Sequence, residues 1–188
     1  MDHQPERIVL VTGGSRGLGA RVARKIGGAD AHVVVTRDIS DEFESAQVID
    51  TIADRFGRLD TLILNSSDAL DPGCAMRLNR DAQRRLALAA LPLMPSGGRI
   101  VYVTSHQAHF FPDKAVPKGY TAVAASMRAG ETALHVRRSE FDRAGVHLTV
   151  VSGDMADGAF ADAVVDAATT STPASIVFVG GADYLMTA

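Results

Sequence analysis

The residues best placed to do chemistry stand near the N-terminus, in the run Thr12-Gly13-Gly14-Ser15-Arg16-Gly17-Leu18-Gly19. They follow directly on Ile8-Val9-Leu10-Val11, a continuous apolar stretch, and precede a segment of helical spacing that reaches about Ile26. Strand, glycine turn and helix in this order suit a pyrophosphate. Glycine lets the chain turn tightly and lets the backbone approach the ligand, while the helix N-terminus offers N–H groups to an anion. Placed after a buried strand, Gly13-x-x-x-Gly17-x-Gly19 is far more specific than an isolated pair of glycines. A dinucleotide is the ligand it predicts.

Such a turn needs a sheet to carry it, and the rest of the chain supplies one. Strands are expected at Ile8–Val11, His32–Thr36, Thr61–Leu64, Arg99–Val103, Val146–Val151 and Ser175–Val179. Helices are expected from Gly19 to about Ile26, from Ser40 to Gly57, around Asp81 to Leu91, from about Tyr120 to Phe141, and near Ala161 to Ala168. Gly27-Gly28 and Gly57 close the first two helices, and Ser40 with Asp41 and Glu42 opens the second. Pro92 and Pro95 mark the exit from the third. Strict alternation of strand and helix favours a parallel sheet with helices on both faces. With 188 residues, no repeat and no linker, residues 1–188 read as a single domain.

Further motifs lie along this frame. Gly57-Arg58-Leu59-Asp60-Thr61-Leu62-Ile63 leads into Leu64-Asn65-Ser66-Ser67, and Asn79 is followed by a helix ending in Leu91-Pro92-Leu93-Met94. Gly98-Arg99-Ile100-Val101 leads to Ser105, then come Tyr120 and Ser152-Gly153. In this order, with Thr12 before the glycine turn, they resemble the short-chain dehydrogenase/reductase family over nearly the whole chain. The resemblance implies a Rossmann-like, doubly wound parallel sheet in three layers, and a small-molecule or nucleotide partner. It implies catalytic roles for Tyr120 as the group exchanging a proton with the substrate oxygen, Ser105 as the donor that positions that oxygen, and Asn79 as support. Cofactor contacts would come from Thr12, Gly13, Ser15, Arg16, Gly17, Leu18, Gly19, Arg37, Asp38, Ile39, Asn65 and Gly153.

Arg37 ends the second strand, and Thr36 stands where relatives that prefer NAD usually carry an acidic residue. Arg16 is a second cation beside the same pocket. Forked, permanently charged guanidinium groups suit a 2′-phosphate, so NADP(H) is favoured over NAD(H). Relatives commonly insert a helix and a third strand before the Asp-hydrophobic pair that brackets the adenine. Here Asp38-Ile39 follows Arg37 at once. Six strands are therefore expected, with the usual third one missing. An empty slot inside the sheet would orphan backbone groups at about 1–3 kcal/mol each. His32–Thr36 is thus expected to pair with the first strand and become a sheet edge.

In the family a lysine four residues after the tyrosine lowers the phenol's pKa and binds the nicotinamide ribose. That position holds Ala124. A tyrosine at the ordinary pKa of ~10 is a poor base at neutral pH. A cation at ~4 Å is worth ~4 kcal/mol at an effective dielectric of ~20, or roughly three pKa units. Without it, a protonated tyrosine can still serve as an acid, so carbonyl reduction should suffer less than alcohol oxidation. Lys114 and Lys118 precede Tyr120, and loop lysines are expected to be solvated. The substrate-covering segment after Gly153 shrinks to Asp154–Ala159. Two readings follow: an atypical NADP(H)-dependent carbonyl reductase, or a catalytically silent dinucleotide-binding protein acting as a sensor or regulatory subunit.

Composition narrows the remaining choices. A net charge of −3 with no basic stripe argues against a nucleic-acid partner. No stretch approaches the ~18 apolar residues of a membrane span, and Met1–Glu6 lacks the order of a signal peptide, so a cytoplasmic location is expected. Cys74 is the only cysteine and is read as inert. His106-x-x-His109 has a metal-like spacing without a convincing third ligand, so no metal site is expected. Alanine faces after Asp81 (Ala87, Ala89, Ala90) and after Tyr120 (Ala122, Ala125, Ala129, Ala133) permit close packing between copies, as a homodimer or homotetramer.

Overall fold

Consecutive residues of a strand point to opposite sides of the sheet, and Ile8, Val9, Leu10 and Val11 are all buried. Such a strand has to lie inside a sheet covered by helices on both faces. The computed structural model describes residues 7–28, 30–36, 39, 41–65, 71–154 and 156–181. Among these, six strands form one parallel sheet: β1 (Arg7–Thr12), β2 (Ala31–Thr36), β3 (Thr61–Asn65), β4 (Arg99–Ser105), β5 (His147–Gly153) and β6 (Ile176–Val179). Their order is β2-β1-β3-β4-β5-β6. No described strand lies beyond β2, so the expected edge is where the shortened sequence puts it.

The helices divide between the two faces. On one face, α2 (Glu42–Phe56), α4 (Gln83–Ala90) and α6 (Thr121–His135) bury Ile49, Ile52, Leu86 and Leu134 against Leu10, Leu62, Leu64, Ile100 and Tyr102. On the other, α1 (Gly17–Ile26) and α8 (Phe160–Thr169) bury Val22, Phe160 and Val164 against Val9, Val11, Ile63, Val101 and Val151. This is the three-layer, Rossmann-like architecture expected. Among the described residues, no helix is long and apolar enough to cross a membrane.

Three boundaries depart from the sequence reading. Ser40 lies outside the described residues, and Asp41 caps α2 by accepting from the N–H groups of Phe43 and Glu44. The third helix starts well before Asp81. Asp71 caps a first segment, α3 (Pro72–Met76), by accepting from Cys74 N–H, with Pro72 in the first turn where its missing N–H costs nothing. A π-helical turn, Arg77–Ala82, then joins α3 to α4. The helix expected from Tyr120 to Phe141 is two helices. It breaks after His135 with Arg137 N–H tightening onto the Leu134 carbonyl, and α7 (Arg138–Arg143) follows. The break lets Phe141 turn into the core beside β5.

Candidate functional site

The C-terminal ends of parallel strands face a crevice on either side of the first strand, and the site residues gather there. The glycine turn is built as its spacing requires. Gly13 and Gly17 adopt φ of +61° and +56°, which L side chains rarely tolerate. A Cβ on Gly19 would lie 2.3 Å from the Gly13 carbonyl oxygen, so only glycine lets α1 start this close to β1. Nothing lies within 4 Å of where a Gly17 Cβ would stand. Ser15, Arg16 and Gly17 are exposed, and Arg16 provides no side-chain cap to the helix start. The first N–H groups of α1 thus have no intrahelical partner, and Gly17 borders open space, as an anion needs.

The floor of this crevice is tied together by Thr12. Its Oγ1 accepts from Asn65 N–H at 2.8 Å, which fastens the end of β1 to the end of β3. Asn65 Nδ2 lies 3.1 Å from the position a Gly13 Cβ would take. Its Oδ1 is buried with no hydrogen-bond partner among the described residues. An orphaned acceptor beside an open glycine turn fits a bound ligand that donates to it. These features fit a dinucleotide. Leu18 is half-buried against the α1/α8 face of the sheet, and the Ile39 side chain is buried in the core on the opposite face. Arg37 and Asp38 lie outside the described residues.

The catalytic candidates converge at the other side of the crevice. Ser105 Oγ and the Tyr120 hydroxyl are 3.3 Å apart despite standing fifteen positions apart in the chain. Ser105 ends β4 and caps α5 (His106–His109), accepting from Ala108 N–H at 3.1 Å. Tyr120 immediately precedes α6, and its hydroxyl also donates toward Met127 Sδ at 3.7 Å. Asn79 sits in the π turn, fully buried, and its Nδ2 donates to Ser126 Oγ at 2.9 Å. The π turn presses on α6 through Gly130, where a Cβ would meet the Asn79 carbonyl oxygen and the Tyr102 hydroxyl. Gly153, at the end of β5, is packed against Phe160 and the Val179 carbonyl, so its lack of a side chain already has a packing cause.

Ala124 is completely buried in a small apolar cluster with Ala108, Val123 and Met127, flanked by Phe111, Val116 and Tyr120. Where the family pattern has an ammonium group, this chain has a methyl group in an apolar wall. Lys114 does not replace it, since its Nζ lies over the Phe110 ring at 5.4 Å. Lys118 is exposed in a short 3-10 turn. The stretch after Gly153 is a tight pair of turns, with Asp154 accepting from Ala156 N–H and Asp157 from Ala159 N–H before α8 begins.

Two features escaped the sequence. His106 spans three strand ends: Nε2 donates to the Gly180 carbonyl after β6, and Nδ1 is hydrogen-bonded to Ser152 Oγ on β5. His109 Nδ1 donates to Glu131, a buried carboxylate that Arg128 also engages. The two histidines are thus held by different partners. Among the described residues, no group of three His, Cys, Asp or Glu is placed to hold a metal.

No family model matches the chain. A cyclic-di-GMP-binding biofilm dispersal mediator protein of Escherichia coli (strain K12) is 28% identical over 174 residues, covering 77% of this chain and 71% of that protein. A short-chain dehydrogenase from Burkholderia cenocepacia J2315, solved in complex with NADP, is 26% identical with a TM-score of 0.71, over 86% of this chain and 82% of that one. The Pseudomonas aeruginosa RhlG/NADP active-site complex has a TM-score of 0.80 over 95% of this chain and 96% of that one, at 18% identity, and supports the fold alone. With the motifs in place on this sheet and these relatives beside it, the chain is similar to the short-chain dehydrogenases/reductases, in a shortened and divergent form.

Proposed function

We propose that this protein binds NADP(H) and works as an atypical carbonyl reductase on a small molecule. Thr12, Gly13, Ser15, Arg16, Gly17, Leu18, Gly19 and Asn65 would hold the dinucleotide, with Arg37, Asp38, Ile39 and Gly153 completing the contacts. The Burkholderia cenocepacia relative was solved in complex with NADP, and exposed Arg16 beside the turn offers the forked cation that a 2′-phosphate favours. When bound, the nicotinamide supplies or accepts a hydride.

The contact between Ser105 and Tyr120 carries the catalytic half of the reading. Two hydroxyls 3.3 Å apart can both donate to one oxygen placed between them. Ser105 would orient a substrate carbonyl and Tyr120 would deliver its phenolic proton as negative charge develops on that oxygen. Asn79 is a positioning residue, holding α6 through Ser126. With Ala124 in the wall, the chain has no cation at the usual place to make the phenol a base, so reduction is favoured over oxidation.

A second reading rests on that same buried Ala124: a silent dinucleotide-binding protein, acting as a sensor or regulatory subunit. The named ligand of the Escherichia coli relative makes cyclic di-GMP the further nucleotide to try. Fluorescence titration with NADPH, NADH and cyclic di-GMP, followed by turnover of wild type and Ala124→Lys on a carbonyl panel, separates the readings. The reductase reading expects tighter binding of NADPH than NADH and measurable wild-type reduction lost in Tyr120→Phe. Binding with turnover only in Ala124→Lys would instead establish the silent protein. Absence of binding by either nicotinamide nucleotide would overturn both. The same reading includes a cytoplasmic homo-oligomer packed through α4 and α6, where Ala122, Ala125, Ala129 and Ala133 remain partly exposed.

A further inference from the structure

The lost strand leaves β2 at the edge of the sheet, and the direction of its hydrogen bonds shows what that edge offers. Arg7 N–H donates to the Asp30 carbonyl and Gly13 N–H to the Thr36 carbonyl, so the even-numbered residues turn their backbone groups toward β1. The N–H and C=O of one residue in a parallel strand point the same way, and neighbours alternate. Ala31, Val33 and Val35 therefore point theirs outward. Among the described residues, the outward groups of Val33 and Val35 make no hydrogen bond, while Ala31 forms an isolated antiparallel bridge with Gly28, its N–H reaching the Gly28 carbonyl at 3.4 Å.

Soluble proteins usually blunt such an edge with lysine, proline, a bulge or an inward charge. β2 reads Ala-His-Val-Val-Val-Thr and has none of these. Val35 is 40% exposed at its end. The outward set is also self-complementary. A two-fold axis through Val33 sets it against its own copy as a hydrogen-bonded pair, and sets Val35 against the partner's Ala31. Val33 N–H then donates to the partner's Val33 carbonyl, Val35 N–H donates to the partner's Ala31 carbonyl, and symmetry doubles both. The facing side chains are valine against valine and alanine against valine, so no charge meets its like.

We infer that the occupant of this edge is a second copy of the chain, joined β2 to β2 in antiparallel fashion so that two six-stranded sheets become one. The pairing uses a surface that exists only because the third strand is missing. It is separate from the alanine faces of α4 and α6 and does not depend on nucleotide binding.

Light scattering of the full chain at micromolar concentration, with two β2 variants and two cysteine variants, tests the inference. Val33→Pro removes an outward donor without touching a bond to β1, and Ala31→Lys places a charge in the pairing. Circular dichroism identifies a variant that has not folded. Each folded variant should halve the assembly mass. In a Cys74→Ser background, Val33→Cys should give a disulfide-linked pair under oxidation, because hydrogen-bonded antiparallel partners lie ~5.5 Å apart between Cα atoms. His32→Cys, whose symmetry mate is two residues out of register, should not. A monomeric wild type, a mass unchanged in the folded β2 variants, or equal cross-linking by both cysteines would overturn the inference. A strand donated by a different protein would show as a monomer that acquires mass only on mixing, and would overturn it too.

Discussion

The glycine turn at the start of α1 and the tyrosine corner at the start of α6 lie along one crevice, and they have fared differently. At the turn, the features that suit a pyrophosphate are backbone: two positive φ values, a helix start against Gly13, and a carbonyl that tolerates no Cβ on Gly19. At the corner, backbone and packing are equally intact. Gly130 sits against the π turn, Asn79 holds Ser126, and Ser105 meets Tyr120. What is missing there is one side-chain charge, at Ala124. A site made from backbone disappears only with the fold, whereas a site made from side chains can be dismantled one residue at a time.

Substitutions can break this contrast or sharpen it. The largest effect is expected at Gly130→Ala, where the new methyl meets the Asn79 backbone rather than a flexible side chain. A loss of about 3 kcal/mol, roughly 10 °C in Tm, should appear in calorimetry. A smaller loss would mean that the π turn is not the rigid support described here. Gly19→Ala comes next, with about 2 kcal/mol lost and nucleotide titration flattened, since α1 must withdraw from Gly13. Should NADPH still bind normally, the turn would not be the ligand site.

Ala124→Lys should raise alcohol oxidation by about 100-fold while lowering stability, because an ammonium group enters an apolar wall. Unchanged kinetics would show that more than a charge has been lost at the corner. Arg16→Ala should weaken NADPH about tenfold and leave NADH unchanged, the difference read from two titrations. Equal losses for both would remove Arg16 from 2′-phosphate selection.

The smallest effect concerns the solvent side of the π turn. Hydrogen bonding from Arg80 holds the Asp81 carboxyl below its ordinary value of 3.8. A carboxylate lowered on folding stabilises the protein above its unfolded pKa, and the contribution fades as pH falls through the lowered folded value. The pair is largely exposed, so Asp81→Asn should cost a few tenths of a kcal/mol at pH 7 in urea melts. The difference from wild type should shrink as pH falls below the ordinary carboxylate range.

The parts of the molecule that could be read from sequence are those governed by local rules. Apolar runs such as Ile8–Val11, and the jump from Arg37 to Asp38-Ile39, were enough to mark the strands and place β2 beside β1 at the sheet edge. Asp71-Pro72 is a readable helix start, yet the reading began that helix at Asp81 because only the alanine-rich end shows clear periodicity. The π turn has no pattern of its own. It arises where Gly130 allows α6 to approach Asn79, a contact between residues far apart in the chain. Nothing local in the sequence marks Glu131 as buried, and only the fold brings His109 to it. Ala124 was visible by its identity, but its apolar surroundings were not.

His106 has a kinetic consequence. By fastening the ends of β4, β5 and β6 through Ser152 and Gly180, beside the short turns at Asp154 and Asp157, it holds this stretch of the crevice rim in place among the described residues. A ligand then meets a finished surface. Stopped-flow mixing should show single-exponential relaxations whose rate rises linearly with nucleotide concentration, without the plateau that a slow closing step imposes. Differences in affinity among nucleotides would be written almost entirely in how fast each one leaves.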